Sequence, residues 1–201
     1  MNGEETSGVE YTARLQRLEG GLIKRIATPV NPYRWNIRRL AKGRVLDVGC
    51  GIGRNLRYLG RSEALGVDHN QASVEVVKTL GYKAQTLEEF EEVKESHCDA
   101  FDSILISHVL EHLSISQARD LVTYYLPSLK NGGEVVVICP QERGYASDST
   151  HVTYFSISDL ELLLDELGLR KVRSKSFPLP KTFGKLFIYN ENIVVYVKSE
   201  E

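Results

Sequence analysis

The stretch VLDVGCGIGR, residues 45–54, places three glycines within five positions directly after a short apolar run. Glycine in an ordered segment costs roughly 0.5–1 kcal/mol relative to alanine, so three together require a structural reason. Two reasons are available: a tight turn from a strand into a helix, or a backbone that must lie against a ligand. The segments on either side of the stretch help to distinguish them.

Apolar runs and helix-compatible segments alternate along the chain on both sides of the glycines. This alternation predicts right-handed crossovers and an α/β, Rossmann-like, doubly wound and mostly parallel sheet. The last two runs have no helix between them, which predicts an antiparallel final pair. Strands are predicted at 44–48, 64–68, 83–87, 102–108, 133–139, 169–177 and 192–198. Helices are predicted at 11–26, 33–41, 54–60, 71–80, 116–129 and 156–168, with a short acidic segment at 88–95.

Composition limits the class of protein. A chain of 201 residues, 42% hydrophobic and 26% charged, fits one soluble domain, with an N-terminal helical cap at 1–41 and the sheet core at 42–201. The net charge of −2 argues against a nonspecific nucleic-acid surface. The apolar runs are too short to span a bilayer, the acidic N-terminus is unlike a signal peptide, and the three cysteines make no disulfide framework. A cytoplasmic protein without a nucleic-acid or membrane partner is expected.

The second predicted strand ends in GVDHN, which places Asp68 about 20 residues after the glycine loop. Ligands bind outside the carboxyl ends of the strands in such a sheet, and an acidic side chain there can accept both hydroxyls of a ribose. The alternative is that Asp68 caps the helix that begins near Gln71. The loop itself, 49–53, matches neither the GxGxxG dinucleotide pattern nor a P-loop.

Four segments together resemble the sequence blocks of class I S-adenosylmethionine (SAM)-dependent methyltransferases: VLDVGCGIGRN, GVDHN, FDSILISHVLEHL and LKNGGEVVVICP. The resemblance covers roughly residues 40–140 and implies a seven-stranded sheet with an antiparallel last strand, and SAM as the cofactor. It implies that three glycines approach the cofactor, that Asp47 orients the methionine ammonium group and that Asp68 holds the ribose. The implied cofactor-binding residues are Asp47, Gly49, Gly51, Gly53, Asp68, His69, Thr86, Leu87 and Ser107.

The segment SHVLEHL, 107–113, brings His108, Glu111 and His112 to the carboxyl end of the fourth strand. If a helical turn begins there, His108 shares one face with the other two side chains. His151, in the loop after the fifth strand, opens on the same edge of the sheet. We expect these four residues to bind one divalent metal ion, with the three histidines as the catalytic candidates. The alternative is a histidine base without a metal, for which His108 is the candidate.

A second resemblance concerns the same segment, which is similar to the E-x-x-E-H motif of plant small-RNA 2′-O-methyltransferases and of ubiquinone-pathway O-methyltransferases. In the RNA enzymes the metal holds two neighbouring hydroxyls of the substrate. His108 stands where those enzymes have a glutamate, which makes Mn²⁺ or Zn²⁺ as plausible as Mg²⁺. The tail PQERGYASDSTHVTYF looks like that of small actinobacterial methyltransferases and implies the methylmannose-polysaccharide 1-O-methyltransferase type.

The expected function is therefore metal-assisted methylation of a hydroxyl on a small molecule, a sugar or oligosaccharide, with a homodimer as the candidate assembly. A quinone or aromatic O-methyltransferase and a cofactor-binding protein without catalysis are the alternatives. Lys181 and Lys185, in the loop 178–185, suit an anionic or glycan substrate. For Trp35 two positions are open: it packs over the cofactor or acceptor, or it anchors the hydrophobic core. We favour the core.

Overall fold

The computed structural model describes residues 31–60 and 64–199. The predicted helix 11–26 and most of the predicted cap, 1–41, lie outside the described residues. The described part forms a single seven-stranded sheet with helices packed on its two faces.

The sheet has the strand order β3-β2-β1-β4-β5-β7-β6. Strands β1 to β5 pair in parallel, and β7 is antiparallel to both of its neighbours, β5 and β6. The predicted fold class is therefore confirmed, including the antiparallel last strand. The strands are β1 (Val45–Val48), β2 (Ala64–Asp68), β3 (Lys83–Thr86), β4 (Phe101–Ser107), β5 (Leu129–Pro140), β6 (Arg170–Phe177) and β7 (Glu191–Val197).

Five of the seven described α-helices begin within one residue of a predicted start, mostly after residues that cap them. No helix was predicted at Glu142–Tyr145, and only a short acidic segment, 88–95, was predicted near Leu87–Glu92. The side chains of Asn31, Asn70, Thr86, Ser114 and Ser156 accept hydrogen bonds from first-turn N–H groups. The helix predicted at 116–129 ends earlier, because a 3₁₀ turn that contains Pro127 follows it. The helices are α1 (Pro32–Leu40), α2 (Arg54–Leu59), α3 (Gln71–Thr79), α4 (Leu87–Glu92), α5 (Ile115–Tyr125), α6 (Glu142–Tyr145) and α7 (Ile157–Asp165).

Two hydrophobic clusters cover the two faces of the sheet. One contains Leu46, Ile104 and Ile106 of the strands and packs under α4, α5 and α7; the other contains Val45 and Leu105 and packs under α1, α2 and α3. Consecutive residues of β1 and β4 thus enter opposite layers, which is why these strands are apolar throughout. None of the helices that the structure describes is long and apolar enough to cross a membrane.

Trp35 does not anchor the core, contrary to the expectation. Its side chain is 56% exposed, and the guanidinium of Arg39 lies 5.1 Å from its ring centre. Ile37 and Leu40 occupy the inner face of α1, and Trp35 is placed on the outer face by the helical period. The residue that the sequence suggested as a core aromatic is therefore a surface residue.

Candidate active site

The glycine loop turns the chain from β1 into α2 at the carboxyl edge of the sheet. Gly49, Gly51 and Gly53 have φ angles of 70°, 51° and 80°, which residues with a Cβ rarely adopt. A Cβ on Gly49 would also collide with the side chain of Val109, which follows β4. The turn alone accounts for the three glycines. Approach to a cofactor stays a prediction for the same backbone.

Asp47 lies beneath this loop and is fully buried. Its Oδ1 accepts a hydrogen bond from Asn55 Nδ2 at 3.1 Å, whereas Oδ2 is buried with no hydrogen-bond partner in the described part of the chain. Burial raises the pKa of the carboxyl to about 7, and the bond from Asn55 opposes that rise. A buried carboxyl with an unsatisfied oxygen suits a cationic group of a ligand, as the resemblance implies.

Asp68 fastens the glycine loop to the end of β2. One carboxylate oxygen accepts the N–H of Gly51 at 2.7 Å, and the other accepts the N–H of Asn70 at 2.9 Å. Asn70, not Asp68, caps α3, so the capping alternative for Asp68 is wrong. Nδ1 of His69 lies 3.4 Å from the same carboxylate, and the His69 side chain is 41% exposed. Each carboxylate oxygen has lone pairs for more than one donor, so a ribose remains compatible with these bonds.

The remaining predicted cofactor contacts follow β3 and β4. Thr86 caps α4 through a bond from the N–H of Glu89, and Leu87 beside it is 40% exposed. Ser107, the buried last residue of β4, pairs with Ile138 of β5. The nine predicted cofactor residues therefore lie along the carboxyl ends of β1, β2, β3 and β4, which is the edge that the sequence predicted.

His108 occupies a position that the spacing did not predict. Its φ is 60°, its N–H donates to the carbonyl of Ile138, and a 3₁₀ turn (Leu110–His112) replaces the assumed regular helix. The ring lies between two carboxylates, with Nδ1 3.2 Å from Glu111 Oε1 and Nε2 2.9 Å from Glu191 Oε1.

The two carboxylates decide the protonation of His108. Burial alone lowers the pKa of the imidazole, but Glu111 and Glu191 outweigh it and raise the pKa to about 9. Near neutral pH both ring nitrogens therefore carry protons, so neither offers a lone pair to a metal ion or to a substrate proton. This protonation disfavours the predicted roles of His108 as metal ligand and as base, and its half-buried ring lies between the two carboxylates instead.

Glu111, His112 and His151 do come together. One ligand atom from each lies within 4.8 Å of the others. Glu111 is 1% exposed, and neither of its carboxylate oxygens has a partner of good hydrogen-bond geometry among residues 31–60 and 64–199. The loop after α6 is tied to this turn, because the N–H groups of Val152 and Thr153 donate to the carbonyl of Glu111. That tie brings His151 beside His112, with 4.8 Å between the ring centres.

Backbone carbonyls fix the orientation of both imidazoles. Nδ1 of His112 lies 3.2 Å from the carbonyl of Thr150, and Nδ1 of His151 lies 2.7 Å from the carbonyl of Tyr145. The Thr150 hydroxyl donates to Asp148 Oδ1, so it too can only accept from His112. A carbonyl accepts but never donates, so each neutral ring holds its proton on Nδ1 and keeps its lone pair on Nε2. Metal-binding histidines are commonly oriented in this way.

Electrostatics keeps Glu111 and His112 in forms that can bind a cation. Burial raises the pKa of Glu111, but His108 beside it outweighs burial, so the pKa lies below its usual range. Burial also lowers the pKa of His112, which favours its neutral form. The Glu111 carboxylate and the neutral His112 imidazole are therefore available at neutral pH.

The sequence missed Glu191 and Thr150, and it did not predict the contact of Tyr145 with His151. Glu191 begins β7, more than eighty positions from His108 in the chain, and no local pattern marks it. Tyr145 stacks on the ring of His151 with 5.4 Å between the centres, and Thr150 accepts from His112. Tyr145 and Thr150 both stand in the segment PQERGYASDSTHVTYF, whose polar character was the available signal.

A glycine turn after the first strand, an acidic residue ending the second, and the sheet order 3-2-1-4-5-7-6 define the class I methyltransferase fold. A family model described as "Methyltransferase domain" matches residues 24–174. The chain belongs to this family, since the match spans most of its length. No curated protein matches the chain significantly.

Solved structures share the fold at low sequence identity. A SAM-dependent methyltransferase from Archaeoglobus fulgidus is 20% identical, with a TM-score of 0.66 over 83% of this chain and 93% of that one. The plantazolicin methyltransferase BpumL, in complex with SAH, is 15% identical, with a TM-score of 0.54 over 83% and 80%. The [4+2]-cyclase SpnF is 15% identical, with a TM-score of 0.61 over 84% and 79%. The cyclase shows that this fold also serves another reaction, so the fold alone does not identify the acceptor.

Proposed function

We propose that the protein is a SAM-dependent O-methyltransferase that methylates a hydroxyl of a small hydroxylated acceptor, a sugar or oligosaccharide such as a mannoside. Glu111, His112 and His151 form its divalent-metal centre. The observation that carries the proposal is the pair of imidazoles whose Nδ1 atoms are bound to carbonyls, placed beside a buried carboxylate without a partner of good geometry. These groups stand at the carboxyl edge, where the cofactor residues also lie.

Asp47 and Asp68 hold the cofactor in this proposal. The unsatisfied Oδ2 of Asp47 receives the methionine ammonium group, which supplies the cation that a buried carboxylate needs. Asp68 keeps the glycine loop closed through Gly51 and accepts the ribose hydroxyls with its remaining lone pairs. Leu87 gives the adenine an apolar surface at the end of β3.

The donor set fits a metal ion of intermediate softness. Two imidazoles and one carboxylate are typical of Zn²⁺, Mn²⁺ or Fe²⁺ sites, whereas Mg²⁺ prefers oxygen ligands. When bound, such an ion lowers the pKa of an alcohol and holds its oxygen. The protonated ring of His108, between Glu111 and Glu191, favours the ionised form of the Glu111 carboxylate. Residues 141–155 supply a polar wall that suits a hydroxylated acceptor.

A base mechanism without a metal is the second candidate, and its base is His112. Burial lowers the pKa of this imidazole, so it is neutral near pH 7 and can accept the proton of a hydroxyl. His108 is already protonated under the same conditions and cannot serve.

The test incubates the purified chain with methyl-labelled SAM and a panel of mannosides, catechols, quinols, RNA and amines, after metal removal and after adding back Mn²⁺, Zn²⁺ or Mg²⁺. We expect transfer to hydroxyls of small molecules that requires the metal. Transfer that survives metal removal supports the His112 base mechanism instead. Efficient methylation of RNA or of a nitrogen would overturn the substrate class. SAM binding without transfer to any acceptor would favour a cofactor-binding or cyclase-like function.

A further inference from the structure

Two segments of the chain, 31–46 and 167–190, contain no Asp or Glu. Together they carry eleven of the 25 Lys and Arg residues. The rest of the chain therefore has 27 acidic and 14 basic residues. Although the net charge is only −2, positive and negative residues are strongly separated along the sequence. Whether the two basic segments form one positive surface depends on where the fold places them.

The fold brings these two segments together on one surface. Nζ of Lys175, on the edge strand β6, donates to Asn36 Oδ1 of α1 at 2.6 Å. The ring of Tyr33 packs edge-on against Phe177 at 5.6 Å, and its hydroxyl donates to the carbonyl of Tyr189 at 2.9 Å. Helix α1, the second half of β6 and the loop 178–190 thus form a continuous surface, which we call the basic face. Its cations include Arg34, Arg39, Arg173, Lys175, Lys181 and Lys185.

The positive charge of the basic face is not neutralised locally. None of those six cations makes an ion pair within the part of the chain that the structure describes. Burial and the neighbouring Arg173 and Arg39 lower the pKa of Lys175, and the opposing effect of Glu191 does not offset them. Nε of Arg173 is buried without a hydrogen-bond partner among the described side chains and backbone. A surface of this kind attracts an anionic partner.

The loop of the basic face also exposes large apolar side chains. Leu186 is 77% exposed, Phe183 and Tyr189 are each 45% exposed, and Ile188 is 39% exposed. Lys181 and Lys185 stand between them in the sequence. On α1, Trp35 adds an aromatic ring that is 56% exposed. Contiguous exposed apolar groups on a soluble domain generally mark an interaction site.

The combination of these cations with exposed aliphatic and aromatic side chains indicates which kind of anionic partner fits the basic face. Single-stranded nucleic acid is bound by cations and flat aromatic rings, and exposed leucine and isoleucine side chains contribute nothing to base stacking. An anionic bilayer uses both features, because aliphatic and aromatic groups enter the headgroup region while lysine and arginine contact the lipid phosphates.

We propose that the basic face docks the protein reversibly on an anionic lipid bilayer, with the 178–190 loop inserted among the headgroups. This replaces the expectation of no membrane partner, which was based on apolar runs too short to span a bilayer. The face reaches the candidate active site, because Phe177 pairs with Glu191, whose carboxylate contacts His108. The docked protein therefore holds that edge of the sheet close to the lipid surface. The proposal stands independently of the methyl acceptor.

The experiment is flotation of the full chain with vesicles of phosphatidylcholine alone and of phosphatidylcholine with phosphatidylglycerol at three to one. We expect binding to the anionic vesicles only, weakened by added salt. Trp35 is the only tryptophan of the chain, and it lies on the proposed contact surface. Its emission should shift to the blue when anionic vesicles are added, and brominated lipid should quench it.

Matched variants distinguish a specific contribution of the 178–190 loop from a general effect of surface charge or hydrophobicity. Leu186→Ser should weaken binding about tenfold, and Lys181→Gln with Lys185→Gln about twenty-five-fold, since each lysine near an anionic surface contributes about fivefold. Leu162→Ser changes a leucine that is 61% exposed on α7, across the sheet from α1. Lys83→Gln changes an exposed lysine on β3, the opposite edge strand. Neither control should alter binding, and circular dichroism confirms that each variant is folded.

Equal binding to neutral and anionic vesicles, or no binding to either, would overturn the proposal. So would loop variants that bind like the native chain. A protein that ignores vesicles but binds single-stranded RNA, with losses at the same lysines, would assign the face to nucleic acid. Sedimentation would detect self-association of the chain. If the lysine variants abolish that self-association, the basic face would be assigned to contact with a second copy.

Discussion

Replacing Asp47 by asparagine should stabilise the cofactor-free protein at alkaline pH. Burial raises the pKa of Asp47 from its usual 3.8 to about 7. Because the folded-state pKa is the higher one, the stability associated with this group is fully present below pH 4 and is lost as the pH rises through 7. The difference corresponds to roughly 4 kcal/mol as an upper limit, at about 1.36 kcal/mol per pKa unit.

Asparagine keeps the oxygen that accepts from Asn55 and carries no charge at any pH. The free energy of unfolding of Asp47→Asn, measured with urea, should therefore match the native value near pH 4 and exceed it increasingly up to pH 8. Ligand binding should move in the opposite direction. The native protein should lose SAM affinity by up to about tenfold per pH unit below 7, because a proton must leave Asp47 when the ammonium group arrives. The variant should bind weakly at every pH.

Calorimetry across pH 5.5–8.5 measures the binding, and Asn55→Ala is the matched control, since it removes the partner but keeps the carboxyl. Burial would then act on the Asp47 carboxyl without its hydrogen bond, so the onset of pH dependence should move to higher pH. Parallel unfolding profiles for the native chain and Asp47→Asn would refute the reasoning, since they would mean that Asp47 has the same pKa in the folded and unfolded states.

Three further predictions concern the loop and the metal centre. Asp68→Asn should weaken SAM binding in calorimetry by about 1.5–3 kcal/mol for each charge-assisted bond lost, and an unchanged affinity would contradict its role. Gly49→Ala should lower the free energy of unfolding by more than the roughly 1–2 kcal/mol expected from the positive φ of Gly49, because the new Cβ also collides with Val109. Adding Val109→Ala in the same chain should recover the part due to the collision. A double variant no more stable than the single one would contradict this packing. His151→Ala should abolish metal retention, measured by elemental analysis, and leave SAM binding nearly unchanged. Tyr145→Phe keeps the backbone carbonyl that orients His151 and should retain the metal. Equal metal content in the native chain and both variants would remove His151 from the site.

The sheet could be predicted because each strand carries its own signal. Strand β1 is buried at all four positions, and the same holds for nearly all of β4, so their apolar runs identify them without reference to the rest of the chain. The glycine turn and Asp68 were predictable for a similar reason, since they stand at the ends of such runs. The start of β5 was placed at 133 because the Gly132-Gly133 pair obscures the residues from Leu129 onwards that also pair.

The roles of individual side chains could not be predicted in the same way. His108, Glu111 and His112 suggest one shared helical face, but the ring of His108 is directed by Glu191, a contact between residues distant in sequence. Trp35 was predicted to be a core residue from its residue type alone. Ile37 and Leu40 determine which face of α1 is buried, and Trp35 lies on the other face. A spacing identifies candidates, and long-range contacts then determine the protonation of each one and the direction in which it points.

The antiparallel strand β7 has a consequence for the order in which the protein is made. Because it lies between β5 and β6, β6 cannot join the sheet during translation until residues 191–197 have left the ribosome. The same strand delivers Glu191, so the nascent chain holds His108 beside a single carboxylate until then. A chain arrested before residue 191 should keep the strands β1 to β5 and a glycine turn able to form, while its histidine cluster lacks the charge balance of the finished protein.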